Sequence, residues 1–204
     1  MITVIAGVNG AGKSSIFGQY IRKHKGHYFN PDEVARSLMR KNDSLSQDEA
    51  NSKAWLLNVE FLQESIETEA DYAFETTLGG NTITQILHEA MDAGREVRIL
   101  YCGLNSTDLH IKRVAIRVSR GGHDIPEHRI RERWINSIHN MLGLVPKASK
   151  IQVYDNSLPV TNGKPEAIKL IAQKEKKLAG EIYQDMPQWA KPLASAILAA
   201  AAKA

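Results

Sequence analysis

The chain of 204 residues contains one cysteine, Cys102, set within an apolar segment. A single thiol forms no internal disulfide, which argues for a reducing, cytoplasmic setting and for Cys102 as a small core residue rather than a nucleophile. Aromatic residues are scarce, at 6%. They do not interleave with basic residues as they do on a nucleic-acid surface, so no nucleic-acid partner is expected. No run approaches the ~18 apolar residues of a membrane span. The N-terminus lacks the basic segment, long apolar stretch and cleavage site of a secretion signal. The apolar close, Ala194–Ala204, reads as a C-terminal helix that packs or frays. The seven histidines show no metal-ligand spacing, and with one cysteine a zinc site is not expected. A net charge of +3 leaves room for an anionic ligand without requiring a polyanion. Repeats and low-complexity linkers are also missing. With 43% hydrophobic content, the chain reads as one domain over residues 1–204.

What the sequence does hold is concentrated near its start. Gly7-Val8-Asn9-Gly10-Ala11-Gly12-Lys13-Ser14 matches G-x-x-x-x-G-K-[ST] and directly follows the apolar run Ile2-Thr3-Val4-Ile5-Ala6. The pattern predicts a buried strand, a glycine turn, and a helix from Lys13. Gly7, Gly10 and Gly12 allow positive φ, and the loop through Asn9 and Ala11 can then bring successive amides to an anion. Ser15 lies in the first helical turn, whose unpaired donors and dipole add to the attraction. Lys13 is placed to reach β/γ-phosphates, and the Ser14 hydroxyl to ligate Mg²⁺. ATP with Mg²⁺ is the ligand this pattern points to.

Strands and helices alternate along the chain, which predicts an α/β fold with a central, mostly parallel sheet flanked by helices. His27–Phe29 reads as a second strand. Asn30 and Pro31 read as the cap and first position of a helix. A long helix is expected over 47–69, a strand at Tyr72-Ala73-Phe74, a helix over Thr82–Asp92 stopped by Gly94, and strands at 97–102 and 151–154. Residues 167–172 and 177–183 read as a hairpin or one broken helix within a C-terminal extension, residues 156–204. In such sheets ligands bind beyond the carboxyl ends of the strands. Asp32 therefore reads as a general base for a substrate hydroxyl, or as an ordinary first-turn helix acid. Glu75, Thr76 and Thr77 read as contacts to substrate or the Mg²⁺ shell, or as a cluster ending the strand. No strand ends in the Asp-Glu pair of a Walker B segment, and Asp155 reads as a turn residue.

Two helices, 106–119 and 126–142, flank Gly121-Gly122-His123. Arg113, Arg117 and Arg120 share a face of the first helix, while Arg129 and Arg133 line the second. Few acids neutralise these rows. This composition suits a lid over residues 106–142 whose planar guanidinium groups meet phosphate oxygens. His123, in the hinge, is a candidate substrate contact.

The segments GVNGAGKS, FNPDEVAR, FETTLGG and RVAIRVSRGGHDIPEHRIRERW together resemble the zeta-toxin family of P-loop kinases, over roughly residues 1–155. They are most similar to a short stand-alone branch labelled a predicted ABC-type ATPase. That label does not follow from the residues: Ser119–His123 matches an LSGGQ signature only superficially. The resemblance implies ATP-dependent phosphorylation of a sugar hydroxyl on UDP-N-acetylglucosamine, as the toxin of a toxin–antitoxin pair whose antitoxin blocks the ATP site. It further implies Asp32 as catalytic base, Lys13 and Ser14 as phosphate and Mg²⁺ contacts, and Glu75 and Thr77 as substrate contacts. Arg117 or Arg120, with Arg133, match the lid arginines. Two other functions suit the same residues: a kinase for a nucleoside, sugar or antibiotic, and a nucleotide-dependent switch acting through a partner protein.

Overall fold

The computed structural model describes residues 1–23, 28–158, 160–161, 164–165, 168–175, 182 and 185–202. The chain opens with β1 (Ile2–Ala6), the phosphate loop, and a π-helical turn (Ser14–Gly18) that runs into α1 (Gln19–Lys23). There follow α2 (Pro31–Lys41), α3 (Gln47–Glu67), β2 (Tyr72–Thr76), α4 (Asn81–Asp92) and β3 (Val97–Gly103). Next come α5 (Thr107–Val118), α6 (Glu127–Leu144), β4 (Lys150–Asp155), and the short strands β5 (Val160–Thr161) and β6 (Lys164–Pro165). The described chain closes with β7 (Lys169–Glu175) and α7 (Lys191–Ala202).

Five strands form one sheet in the order β2-β1-β3-β4-β7, with the first four parallel and β7 antiparallel at the edge. The loop-bearing β1 is thus interior to the sheet, flanked by β2 and β3. Near-continuous burial along β1 and β3, broken only at Thr3 and Arg98, reflects cover on both faces, as parallel strands require. Phe74, Leu62, Leu87 and Ile99 belong to the main core cluster, while Ile5, Ala11, Phe17 and Cys102 form a second beneath the phosphate loop.

Local signals set the helix starts. Asn30 Oδ1 accepts from the amides of Asp32 (3.0 Å) and Glu33 (3.4 Å), and Pro31 occupies the first turn of α2. Ser46 and Glu49 form a reciprocal capping box on α3. Gly94, at φ +84°, ends α4 in the left-handed conformation. The long α3 buries Ala50, Ala54, Asn58 and Leu62 along one stripe, and its alanines meet Ala35 of α2.

One sequence expectation changes, and one pair of alternatives narrows. The strand at His27–Phe29 reduces to one parallel bridge, Phe29 to Phe74, with His27 outside the described residues. Phe29 lies at the outer edge of β2, where no further strand extends the ladder among the described residues. Of the two readings of the C-terminal segment, hairpin or broken helix, residues 169–175 favour the hairpin: they form a strand that pairs antiparallel with β4, with a register shift at Val153/Tyr154. Ile182 bridges Ala172, while the rest of 177–183 and Ala167 lie outside the described residues. No described helix is long and apolar enough to cross a membrane.

One buried cation locks the end of α6. Lys174 of β7 is 4% exposed, and its Nζ donates to the carbonyls of Val145 (2.8 Å), Ala148 (3.0 Å) and Pro146 (3.3 Å). A charge at a helix C-terminus satisfies carbonyls that have no helical partner. Lys174→Met keeps the stem and strands these acceptors, so urea denaturation should show a loss of about 2 kcal/mol or more. An unchanged midpoint would mean that water serves the carbonyls equally well.

Candidate active site

The phosphate loop is pressed against its neighbours so tightly that only glycine fits. Gly7 has φ +136°, and a Cβ there would lie 2.1 Å from the Cys102 carbonyl oxygen. Gly10 (φ +84°) abuts the His110 carbonyl, and Gly12 (φ +94°) abuts the Asn156 side chain. Three elements hold the loop's carbonyls. Asn156, just after β4, donates to Ala11 O at 2.8 Å, and the Cys102 thiol donates to the same oxygen at 3.1 Å. His110 of α5 bonds Asn9 O through Nδ1 at 2.8 Å. Burial pushes the Cys102 thiol up to about 12, so this residue packs and does not attack.

Lys13 and Ser14 converge on Glu75 at the end of β2. Lys13 Nζ lies 3.5 Å from Glu75 Oε1 and donates to Val8 O at 3.3 Å. Ser14 Oγ donates to Glu75 at 2.8 Å, and Asn30 Nδ2 approaches Ser14 Oγ at 3.3 Å and Glu75 Oε2 at 3.4 Å. Asn30 therefore caps α2 and ties it to the loop, a second role that its capping signal does not reveal. The paired hard oxygens of Ser14 and Glu75 suit Mg²⁺.

Asp32 stands in the first turn of α2, 39% exposed, with Arg117 Nη1 3.7 Å from one carboxylate oxygen and His123 Nε2 4.0 Å from the other. Arg117 also donates to the His123 carbonyl at 2.9 Å, folding the hinge back on α5. Burial holds the His123 imidazole below the ordinary histidine range, although the Asp32 carboxylate pulls the other way. His123 is then neutral near pH 7, which makes Arg117 the cation that faces Asp32. Arg133 of α6 donates to Asn9 Oδ1 at 2.8 Å. Arg120 is exposed on the rim of the cleft. Arg113 is tied to the Asn156 carbonyl at 2.7 Å, bracing the loop from α5.

Thr76 and Thr77 accept from the amides of Leu78 (3.1 Å) and Gly79 (3.2 Å), shaping the loop after β2. Asn140 of α6 clips that loop at Leu78 O (2.8 Å) and Gly80 O (3.2 Å). Both threonines line the cleft as well. The helical pair is anchored at its base. Met141 and Leu144 enter the main core, and Val114, Ile125 and Ile130 pack on Val8 of the phosphate loop. The region around Gly121 and Gly122 is what overhangs the cleft.

Lys13, Ser14, Asp32, Glu75, Arg117 and Arg133 all border one open cleft of about 1860 Å³. A single small-molecule site takes about 300–1,000 Å³, so the space suffices for a nucleotide and a second substrate. The wall away from the phosphate loop comes from α3, where Trp55 and Leu56 are exposed beside Asn51 and Ser52.

Two supports of the loop, His110 and Asn156, are absent from the residues that spacing suggests. His110 precedes Val114 by one turn on the apolar stripe of α5, which is a legible sign of burial. Asn156 carries no local sign, because its partner Ala11 lies 145 residues away.

No family model matches the chain. An uncharacterized protein of Haemophilus influenzae is 28% identical over 128 residues, covering 63% of this chain and 88% of its own length. A chain of the AvrRxo1-ORF1:-ORF2 complex, solved with ATP, superimposes with a TM-score of 0.64 at 13% identity over 86% of this chain. This chain spans only 58% of that one's length. The PezAT chromosomal toxin–antitoxin system of Streptococcus pneumoniae gives a TM-score of 0.53 at 16% identity, over 76% of this chain and 66% of that one. At such identities the likeness is one of fold, an α/β fold with a mostly parallel sheet flanked by helices.

His110 gives a pH signature. Burial lowers its pKa to about 4, so it is neutral in the folded chain, and the unfolded chain binds the extra proton below the ordinary histidine value. Stability is therefore full above pH 6.5 and is lost as pH falls towards 4, by roughly 3 kcal/mol at most. His110→Asn keeps a donor near the Nδ1 position and cannot titrate. Urea denaturation at pH 7 and pH 4.5 should show a smaller pH-dependent loss in the variant than in the wild type. Equal losses would mean that other groups carry the pH dependence.

Proposed function

We propose that the protein is an ATP-dependent kinase that transfers a phosphoryl group to a hydroxyl of a small acceptor, with UDP-N-acetylglucosamine as the leading acceptor. The observation that carries this reading is that Asp32 lines the same cleft as Lys13 and Ser14, with Arg117 of α5 beside it and Arg133 of α6 on the phosphate loop. A nucleotide switch needs the loop but has no use for a carboxylate at a second-substrate position. A kinase needs both.

In this mechanism the loop amides, with Gly7, Asn9, Gly10, Ala11, Gly12 and Ser15, cradle the triphosphate, and Lys13 exchanges Glu75 for phosphate oxygens. Ser14 and Glu75 would hold Mg²⁺, which neutralises phosphate charge when bound. Among the described residues no three His, Cys, Asp or Glu side chains cluster as a metal site, so the remaining ligands would be water and phosphate. Asp32 accepts the proton of the acceptor hydroxyl. Arg117 and Arg133 face the charge that builds on the transferring group, with Arg120 entering from the rim. Thr76, Thr77 and His123 border the acceptor, and the α3 wall at Trp55 gives it a large surface. The whole chain, 1–204, serves as one kinase domain with residues 106–142 as its lid.

A protein partner fits the same reading. AvrRxo1-ORF1 was solved in complex with ORF2, and PezAT is a toxin–antitoxin system. By analogy, an antitoxin would restrain this chain by covering the open cleft. An alternative acceptor, such as a nucleoside, another sugar or an antibiotic, leaves the roles of Asp32 and the loop unchanged.

Mass spectrometry of UDP-N-acetylglucosamine incubated with Mg-ATP tests both acceptor and base. The wild type should yield the phosphorylated sugar nucleotide, and Asp32→Asn should lose about 10²-fold or more in rate while still binding ATP. Unchanged turnover in Asp32→Asn would remove this residue from the chemistry. Product formed only from another acceptor in a panel would replace UDP-N-acetylglucosamine.

A further inference from the structure

Asn9 occupies a variable position of the phosphate loop, yet it is hydrogen-bonded to both of the helices above it. Its side chain is nearly buried at 9% exposure. Its backbone oxygen meets His110 Nδ1 on α5, and its side-chain oxygen accepts from Arg133 Nη1 on α6, each at 2.8 Å. Both acceptors of this residue are thus occupied by donors of the helical pair. We propose that Asn9 is a positioning residue, whose amide oxygen seats the Arg133 guanidinium on the phosphate loop so that the α6 arginine is in place before substrates arrive. The inference rests on the phosphotransferase reading of this cleft.

The surroundings of Arg133 show why an anchor is needed. Its stem lies flat against Gly79, where a Cβ would come within 2.6 Å of Arg133 Cγ, so the stem is seated without help. Burial of the guanidinium end, and then the charge of Arg129, disfavour the cation against the pull of Asp32 and Glu132. A hydrogen-bond acceptor offsets that cost and fixes the plane of the fork. Arg120, at the rim, receives no comparable anchor among the described contacts.

The amide is the appropriate acceptor chemically. An aspartate would hold the arginine more strongly, but it would set a negative charge among the groups that receive a triphosphate. An alanine would leave the amides of the loop unchanged and release the arginine. Asn9 holds the cation and adds no charge. Its two replacements should therefore fail in opposite ways.

Asn9→Ala should lower turnover about tenfold, the effect of losing one hydrogen bond to a charged group, while ATP affinity stays within about twofold. Asn9→Asp should instead weaken ATP binding about tenfold. In an Arg133→Ala background, Asn9→Ala should cost nothing further, because its effect passes through the missing arginine. Hydrogen exchange supplies a readout independent of turnover. Amides around Arg133 on α6 should exchange about threefold faster or more in Asn9→Ala and remain protected in Asn9→Asp. The proposal is overturned if Asn9→Ala costs the same tenfold without Arg133, if it weakens ATP binding and spares turnover, or if α6 exchange is unaffected. Should the wild type transfer no phosphoryl group, the kinase reading fails by itself, and the exchange comparison still decides whether Asn9 seats Arg133.

Discussion

Everything in this cleft depends on how closely the phosphate loop approaches the strand beside it. At Gly7 the backbone of β1 turns so near the Cys102 carbonyl that no side chain fits, and φ lies where side-chain-bearing residues rarely go. That contact fixes where the loop begins, and Asn156 and His110 then fix where its carbonyls go. With their oxygens bonded to protein donors, these peptide groups offer an anion less repulsion than a free loop would. The neutral state of His110 belongs to the same design, because a second buried cation beside Lys13 would go uncompensated.

The loop also organises what lies outside it. Glu75 meets Lys13 and Ser14, Asn30 meets Ser14 and Glu75, and Asp32 follows Asn30 by two residues. The base candidate is thus placed through a short chain of contacts beginning at the loop. On the opposite side, Asn9 and Val8 receive Arg133 and the apolar contacts of α5 and α6. The loop, Asp32, Arg117 and Arg133 are therefore parts of one packed arrangement.

Much of this was legible in the residues, for identifiable reasons. Strand, glycine turn and helix follow one another at the loop, and the Asn30 cap is a local signal that tertiary packing did not override. What stayed hidden depends on distant partners. Phe29 has strand chemistry but finds only Phe74 to pair with, so the expected second strand is a single bridge. The role of Asn156 depends on Ala11 at the other end of the fold, and the seat of Arg133 depends on Asn9 across 124 residues. Spacing within one segment cannot reveal such pairings. The π-helical turn after Ser14 was likewise outside what a helix pattern can specify.

The central claim is that the loop from Gly7 to Ser14 receives the phosphates of a nucleoside triphosphate. Calorimetric titration of the purified chain with Mg-ATP tests it most directly, with Lys13→Ala as the control. The wild type should show saturable one-site binding, and affinity should fall at least about tenfold once the Lys13 ammonium is gone. A wild type that does not bind Mg-ATP, or a Lys13→Ala variant that binds it equally well, would contradict the account.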